Sequence, residues 1–106
     1  MIRVSILYPH SDNVHFDWPY YVQQHMPMSI RLLSAHPGYS GVSVARGLSG
    51  ASPESNPGFV AECHFTFTGV DEFIAAFTPH AGELEGDISN YTNARPLIQF
   101  SEVIGL

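Results

Sequence analysis

The sequence predicts a single α+β domain in which two helices cover one face of a four-stranded antiparallel sheet. Three observations support this fold class. The chain has only 106 residues, a length that suits one domain with one core. Its hydrophobic segments alternate between the two-residue period of strands and the wider spacing of helices. Clusters of proline, glycine, serine and asparagine separate these segments, as expected for turns and loops.

The first segment, residues 2–8, alternates in hydrophobicity, which predicts a strand. Asp17 is a candidate N-cap for a helix that runs to about His25. Proline disfavours helical geometry at the residue before it, so we expect Pro27 to cause a kink or a restart. The helix then continues through Leu33. These residues therefore predict one strand followed by one interrupted helix.

The middle of the chain predicts two strands joined by a loop. Residues 39–48 alternate between larger side chains and glycine, serine or alanine. Residues 49–58 contain prolines, serines and glycines, which is typical of a loop. Residues 59–67 place phenylalanine, alanine and cysteine at odd positions, and Glu62 and His64 at even ones. Because strand side chains alternate, we expect the odd positions to face the helices and the even ones to face away.

The last third predicts a helix and a final strand. Hydrophobic residues at helical spacing predict a helix from about residue 70 to residue 78, and residues 81–88 are a weaker helix candidate. Residues 96–104 are largely apolar on both alternating sides. That pattern is typical of a strand that is covered on both faces.

The predicted order is strand, helix, strand, strand, helix, strand, which is the split β-α-β or ferredoxin-like arrangement. Its two helices cover one sheet face and leave the other bare. A chain this short, with only 13% charged residues, can bury that face against a second copy across a two-fold axis. We therefore expect residues 1–106 to form one domain of a homodimer, whose two sheets close into an α+β barrel.

Composition and motifs exclude several classes of function. Four arginines, no lysine and ten acidic residues give a formal net charge of −6, so the basic footprint of nucleic-acid or anionic-membrane binding is missing. One cysteine excludes an intrachain disulfide. Without an export-type start or an apolar run of membrane-spanning length, we expect a cytoplasmic protein. Glycine-rich nucleotide motifs and metal-ligand motifs are absent, so we expect neither a cofactor nor a metal.

His25 is the strongest candidate for acid–base chemistry. It lies one helical turn after Tyr21 and two turns after Trp18, so its neighbours are aromatic. An imidazole titrates near neutral pH, and an apolar pocket would keep it neutral and able to accept a proton. The alternative is a histidine that only satisfies a hydrogen bond within an amphipathic helix.

Further candidates lie on the second and third strands. Cys63 is on the apolar face, where its thiol is either a nucleophile, a proton donor or a small buried hydrophobe. The adjacent His64 points to the opposite face and cannot be its partner. Glu62 and His64 share the polar face, where we expect a hydrogen-bonded pair rather than a metal site. The Tyr39 phenol, at the start of the second strand, either binds a ligand or anchors the turn.

Three segments taken together resemble the EthD family, named for ethyl tert-butyl ether degradation. FDWPYYVQQHMP (residues 16–27) is similar to the aromatic-rich first helix of that family. ECHFTFTGVDEFIAAF (residues 62–77) is similar to its third strand and second helix, and GDISNYTNARPLIQFSEVI (residues 86–104) to the segment that leads into its last strand. The match covers nearly the whole chain in the right order. The resemblance implies a dimeric α+β barrel and a role in catabolism.

Among characterised relatives, the methylmuconolactone isomerase group has a histidine, a tyrosine and a cysteine that match His25, Tyr39 and Cys63. The resemblance implies that these three are catalytic, with His25 as the general acid or base, Tyr39 as an orienting or oxyanion-binding donor, and Cys63 as a proton shuttle or part of the wall. That group also uses a loop histidine between the second and third strands. No histidine stands between Arg46 and Phe59 in this chain, so part of that acid–base set is missing.

Two functional hypotheses follow from these residues. In the first, a small cofactor-independent enzyme of catabolism holds an apolar or aromatic-derived molecule between helices and sheet. His25 would move the proton, and isomerisation of a lactone-like compound and cofactor-free oxygenation both fit. The substrate would contact four aromatic residues, namely Trp18, Tyr21, Phe65 and Tyr91. In the second, a non-catalytic protein binds a hydrophobic metabolite or assists a separate oxygenase. A purely structural dimer without an occupied pocket is a third alternative.

Overall fold

The computed structural model describes all 106 residues, and four strands and a long first helix dominate it. The strands are β1 (Ile2–Pro9), β2 (Tyr39–Arg46), β3 (Phe59–Phe67) and β4 (Leu97–Glu102). The first helix spans residues 18–33 and consists of Trp18–Tyr20, a π-helical turn Tyr21–His25, and Met26–Leu33. The second helix is Val70–Phe77 and the third is Ala81–Gly86, with 3₁₀ turns at Thr78–His80 and Ile88–Asn90.

The four strands form one antiparallel sheet in the order β2-β3-β1-β4. Its register aligns Val44, Cys63, Ile6 and Ile98 in one row across the sheet. Cross-strand neighbours point to the same face, so this row lies on the side of the helices. The predicted ferredoxin-like arrangement is confirmed.

The core lies between the sheet and the helices. Strand β3 shows why, since Ala61, Cys63, Phe65 and Phe67 are buried, whereas Val60, Glu62, His64 and Thr66 are only partly buried. The predicted division of this strand into an apolar and a polar face is therefore confirmed. Thirteen buried residues from β1, β3, all three helices and the segment before β4 make up one hydrophobic cluster. None of the helices is both long enough and apolar enough to cross a membrane.

The sequence predicted a kink or a restart of the first helix at Pro27. The helix does not restart there, and its irregularity is the π turn at Tyr21–His25. Asp17 caps its start by accepting a hydrogen bond from the Tyr20 backbone N–H at 3.0 Å. Met26 keeps helical angles, and its N–H donates to the carbonyl of Tyr21, five residues earlier. In a regular α-helix the Pro27 ring would press on the carbonyl four residues before it. A wider π turn relieves that clash without breaking the helix.

Within a single chain, neither face of strand β4 is fully covered. It is an edge strand, and Leu97 and Ile98 are both 55% exposed although they point to opposite faces. The helices pack mainly over the inner strands, so Ile98 and Phe100 form an open floor beneath them. Leu97 lies on the outer face, the side of the sheet away from the helices, beside Leu7.

Candidate active site

A cavity of about 530 Å³ lies between the sheet and the helices. Sixteen of its 22 lining residues are hydrophobic, so it suits an apolar molecule. The first helix, β1, β3, β4, the second helix and the segment before β4 all contribute side chains. The lining also includes two residues that carry a formal charge, Glu85 and Arg95, and both are exposed.

His25 and Asp87 form a hydrogen-bonded pair at the wall of this cavity. His25 Nδ1 lies 2.8 Å from Asp87 Oδ2. The other oxygen of the carboxylate accepts two further bonds, from the Tyr20 hydroxyl at 2.6 Å and from Asn90 Nδ2 at 2.9 Å. Burial alone would raise the pKa of Asp87, but the bonds from Tyr20, Asn90 and His25 outweigh it and lower the pKa. The carboxylate is therefore ionised at neutral pH.

Local contacts hold the Asp87 segment against the start of the first helix. The backbone N–H of Asp17 donates to the Tyr91 carbonyl at 2.7 Å, and the Thr92 hydroxyl donates to the His15 carbonyl at 2.6 Å. Phe16 and Thr92 also form an isolated β-bridge. These bonds place the 3₁₀ turn that follows Asp87 beside the π turn that carries His25.

The Asp87 carboxylate determines the tautomer of His25. An ionised carboxylate can only accept hydrogen bonds, so the proton of the neutral ring lies on Nδ1. Nε2 then carries a lone pair that can accept a proton or a hydrogen bond, and the Tyr91 hydroxyl lies 3.4 Å from it. The Tyr91 hydroxyl is in turn 2.7 Å from that of Tyr8. The structure thus arranges a basic nitrogen and two phenols side by side at an apolar cavity.

Burial lowers the pKa of His25, and its contact with Asp87 offsets this in part. The imidazole is therefore neutral at neutral pH and able to accept a proton. Its ring stacks on that of Tyr21 with centroids 5.6 Å apart and an angle of 13° between planes. The Ser29 hydroxyl donates to the His25 carbonyl at 2.9 Å. The bond to Asp87 and the stacking on Tyr21 fix the orientation of the ring.

Cys63 lines the same cavity as His25, so the two side chains lie on the same side of the sheet. Burial raises the pKa of the Cys63 thiol to about 12. A thiol with so high a pKa stays protonated and is a poor nucleophile at neutral pH. The geometry favours Cys63 as part of the cavity wall.

The other predicted site residues divide into two groups. Tyr21, Phe65 and Tyr91 line the cavity together with His25 and Cys63. Tyr39 and Trp18 lie outside the lining.

Tyr39 starts the edge strand β2 and packs on Phe67, with ring centroids 5.7 Å apart. Trp18 packs on Phe16 at 4.6 Å and lies under the Arg46 guanidinium at 5.5 Å. Both side chains therefore support the aromatic packing around the cavity from outside.

Sequence reasoning did not select Asp87 or Tyr8 as site residues. Asp87 stands in the segment that carries the family resemblance, three residues before Asn90 and four before Tyr91. That spacing is the one available sequence indication. Tyr8 lies on the buried face of β1 together with Val4, but nothing in the sequence indicates that its hydroxyl meets that of Tyr91.

The outer face carries a separate polar group. The Ser5 hydroxyl lies 2.8 Å from His64 Nδ1, and His64 Nε2 lies 3.4 Å from Glu62 Oε1. The hydrogen bond of His64 is therefore to Ser5, and Glu62, the partner expected from the sequence, lies only at ion-pair distance. No cluster of three or more His, Cys, Asp or Glu side chains has a geometry that could hold a metal ion.

Comparison with solved structures identifies the family. An EthD-like protein from Ralstonia eutropha superimposes with a TM-score of 0.91 at 38% sequence identity, over 98% of this chain and 92% of that one. The chain belongs to the EthD family. A second EthD family protein, from Bacillus halodurans, matches with a TM-score of 0.67 at 16% identity, over 98% of this chain and 99% of that one.

The fold of this EthD family member extends to more distant proteins. SnoaB from Streptomyces nogalater, a cofactor-independent oxygenase, matches with a TM-score of 0.57 at 14% identity, over 99% of this chain and 93% of that one. At this identity the likeness shows the fold alone. No protein-family model matches the sequence, and no curated protein matches it.

Proposed function

We propose that this EthD family member is a small cytoplasmic protein of catabolism that binds an apolar or aromatic-derived metabolite in the central cavity and removes a proton from it with His25. One observation carries the proposal. A neutral imidazole, oriented by the Asp87 carboxylate, presents Nε2 at the wall of an otherwise largely hydrophobic cavity. A buried base with a fixed tautomer suits general base catalysis.

The chemistry begins with one proton transfer. Nε2 takes a proton from an acidic C–H or O–H of the ligand, and the bonding electrons stay on the ligand. The resulting imidazolium is stabilised by Asp87, 2.8 Å away. Return of the proton to a different carbon completes an isomerisation, whereas reaction of the carbanion with dioxygen begins an oxygenation. The isomerisation and the oxygenation that the sequence suggests share this first step.

Hydrogen exchange tests the proposed proton transfer. The protein would be incubated in deuterated buffer with small aromatic ketones and unsaturated lactones, and deuterium incorporation would be followed by mass spectrometry. We expect His25→Gln to slow exchange by about 100-fold or more, which is the usual contribution of a positioned base. His15→Gln is the matched control, because His15 is exposed and is not part of the cavity lining.

The alternative is a non-catalytic binding or accessory protein, which the same hydrophobic lining would also suit. Such a protein would bind the probes without accelerating their exchange. His25→Gln would then change affinity at most. Binding without any exchange above the buffer rate, across both compound classes, would therefore favour the alternative and contradict the catalytic proposal.

We also propose that the chain works as a homodimer that pairs two outer faces into an α+β barrel. The exposed Leu97 beside Leu7 supports this arrangement, as does the family resemblance. Leu97→Glu should shift the mass measured in solution toward that of one chain. Val22→Glu, at an exposed apolar position of the first helix, should leave the mass unchanged. A wild-type monomer at micromolar concentration would contradict the dimer.

A further inference from the structure

The cavity contains a pair of phenols that the proposed base does not by itself require. Tyr8 comes from β1 and Tyr91 from the segment before β4, yet their hydroxyls are 2.7 Å apart. Both residues line the cavity, and their exposures are 2% and 0%. Buried phenols of this kind need hydrogen-bond partners. Here the Tyr91 hydroxyl contacts both Tyr8 and His25 Nε2.

Counting the available hydrogens shows how the hydrogen bonds between Tyr8, Tyr91 and His25 are arranged when His25 is neutral. The two phenols supply two O–H hydrogens, and Nε2 supplies one acceptor, because the ring proton lies on Nδ1 facing Asp87. Tyr8 can then donate to Tyr91, and Tyr91 to Nε2. Both hydroxyl hydrogens are then used in bonds within the protein, and neither is directed at a ligand.

Protonation of Nε2 changes that count. The nitrogen becomes a donor, so Tyr91 can no longer donate to it. One of the two hydroxyl hydrogens is then released from this hydrogen-bonded series and can turn into the cavity. We propose that the Tyr8–Tyr91 pair is an oxyanion-binding site that becomes a donor to the ligand when His25 has taken the ligand's proton.

This inference rests on the proposed role of His25 as the base, and it defines the substrate class more closely. The favoured ligand is one whose oxygen becomes negative as the proton leaves, namely an enolisable ketone or lactone, or a phenol. Hydrogen bonds to a charged oxygen are roughly twice as strong as neutral ones. A donor that is aimed where charge develops stabilises the transition state more than the ground state.

The phenols themselves do not compete for the proton. Burial raises the pKa of Tyr8 to about 12, and burial also raises the pKa of Tyr91 far above its ordinary value. Both hydroxyls therefore stay protonated at neutral pH and act as donors. The charged side chains in the lining, Glu85 and Arg95, are exposed, so solvent screens their effect on the buried pair.

Two probes of nearly equal shape test the inference. Binding of 4-nitrophenol would move its proton to His25 Nε2, which leaves a phenolate that absorbs visible light and an imidazolium. 4-Nitrotoluene has a methyl group in place of the hydroxyl and measures apolar binding alone. At a pH below the pKa of free 4-nitrophenol, we expect the wild-type protein to show phenolate absorbance and to bind the phenol about 10-fold more tightly than the toluene.

Tyr8→Phe is the deciding variant, because Tyr8 does not contact His25 directly and the substitution keeps the ring. We expect it to lower 4-nitrophenol affinity by about 10-fold and to reduce the phenolate absorbance. The affinity for 4-nitrotoluene should stay unchanged. Tyr91→Phe should likewise lower the affinity for 4-nitrophenol and leave the affinity for 4-nitrotoluene unchanged. Unchanged thermal melting would show that both variants fold.

The outcomes separate this inference from the proposed function. Equal binding and ionisation of 4-nitrophenol by Tyr8→Phe and the wild-type protein would overturn the oxyanion site, although the base could still be His25. Equal wild-type affinity for both probes, without phenolate absorbance, would also overturn it and leave the cavity as an apolar binding site. Failure of the wild-type protein to bind either probe would contradict the proposed function as well.

Discussion

His25 Nδ1 donates to Asp87 Oδ2 across 2.8 Å, although the two residues are 62 positions apart in the chain. The pair joins the π turn of the first helix to the short segment before β4. Asp87 keeps its negative charge because its second oxygen also accepts bonds from Tyr20 and Asn90. The charge fixes the proton on Nδ1 and leaves Nε2 available to a ligand. The acid–base chemistry proposed for the cavity depends on this one contact.

Asp87→Asn should reverse the tautomer of His25. Tyr20 and Asn90 both donate to Oδ1, so the oxygen of the new amide would stay at that position. Its NH₂ group would then face His25 Nδ1 and require a lone pair there. The ring proton would move to Nε2, and the base would be lost. We expect hydrogen exchange of a substrate to slow by about 100-fold or more.

Nuclear magnetic resonance of ¹⁵N-labelled protein distinguishes the two tautomers directly. We expect a protonated Nδ1 for His25 in the wild-type protein and a protonated Nε2 in Asp87→Asn. Asp71→Asn, at an exposed position of the second helix, is the matched control and should keep the wild-type tautomer. An unchanged tautomer in Asp87→Asn would contradict the role assigned to the carboxylate.

The sequence predicted the fold well where its periodicity was strict. Strand β3 begins and ends at the predicted residues 59 and 67, and the second helix ends at Phe77, close to the predicted end. Strand β4 was harder, because apolarity on both sides of a strand does not reveal what covers each face. The π turn was not predicted either, since a single widened turn leaves no periodic pattern.

The site was predictable only in part, because local periodicity does not encode contacts between distant segments. Alternation along β3 and spacing along the first helix correctly directed Cys63, Phe65, Tyr21 and His25 toward one side of the sheet. The contact with Asp87 depends on how a distant segment docks on that helix, which no local pattern encodes. Tyr39 shares the sheet face but lies on edge strand β2, whereas the cavity lies over β1, β3 and β4.

The stability of the fold should decrease in mild acid because of His25. Burial lowers its pKa below the ordinary value of 6.5, so the unfolded chain binds a proton at a pH where the folded chain does not. The free energy of unfolding therefore falls as the pH drops below about 6.5, down to the lower pKa of the folded state. We expect the melting temperature to fall by a few °C across this window. Calorimetry at several pH values measures this change in melting temperature.

His25→Gln should remove this part of the pH dependence. Asp87 acts in a lower range, because its folded pKa lies below the ordinary value of 3.8. Its stabilisation is present above that value and is lost as the pH falls through the folded pKa. The wild-type protein and His25→Gln should thus differ in slope between pH 6.5 and the onset of the Asp87 effect. Parallel curves would contradict the assignment to His25.

Two phenylalanines on the helix side of the sheet should differ sharply in their contribution to stability. Phe67 is fully buried and packs edge to face on Phe73, with centroids 5.3 Å apart. Phe100 contacts the same Phe73 ring at 5.7 Å but is 44% exposed on the cavity floor. Phe67→Ala should lower the free energy of unfolding by about 3–5 kcal/mol, and Phe100→Ala by about half as much or less. Urea denaturation measures both, and similar losses would contradict the openness of the cavity floor.

Filling the cavity from its floor should block binding without unfolding the protein. Ile98 lies in the row with Ile6 and Cys63 and lines the cavity. Its neighbour Leu97 has the same 55% exposure but points to the outer face. We expect Ile98→Trp to weaken 4-nitrotoluene binding by about 10-fold or more, a loss of about 1.4 kcal/mol.

Leu97→Trp is the matched control for added bulk on β4 and should bind the probe like the wild-type protein. Because Ile98 is half exposed on the cavity floor, Ile98→Trp should not lower the melting temperature by more than a few °C. If Leu97→Trp instead abolished binding while Ile98→Trp did not, the ligand would have to bind on the outer face of the sheet.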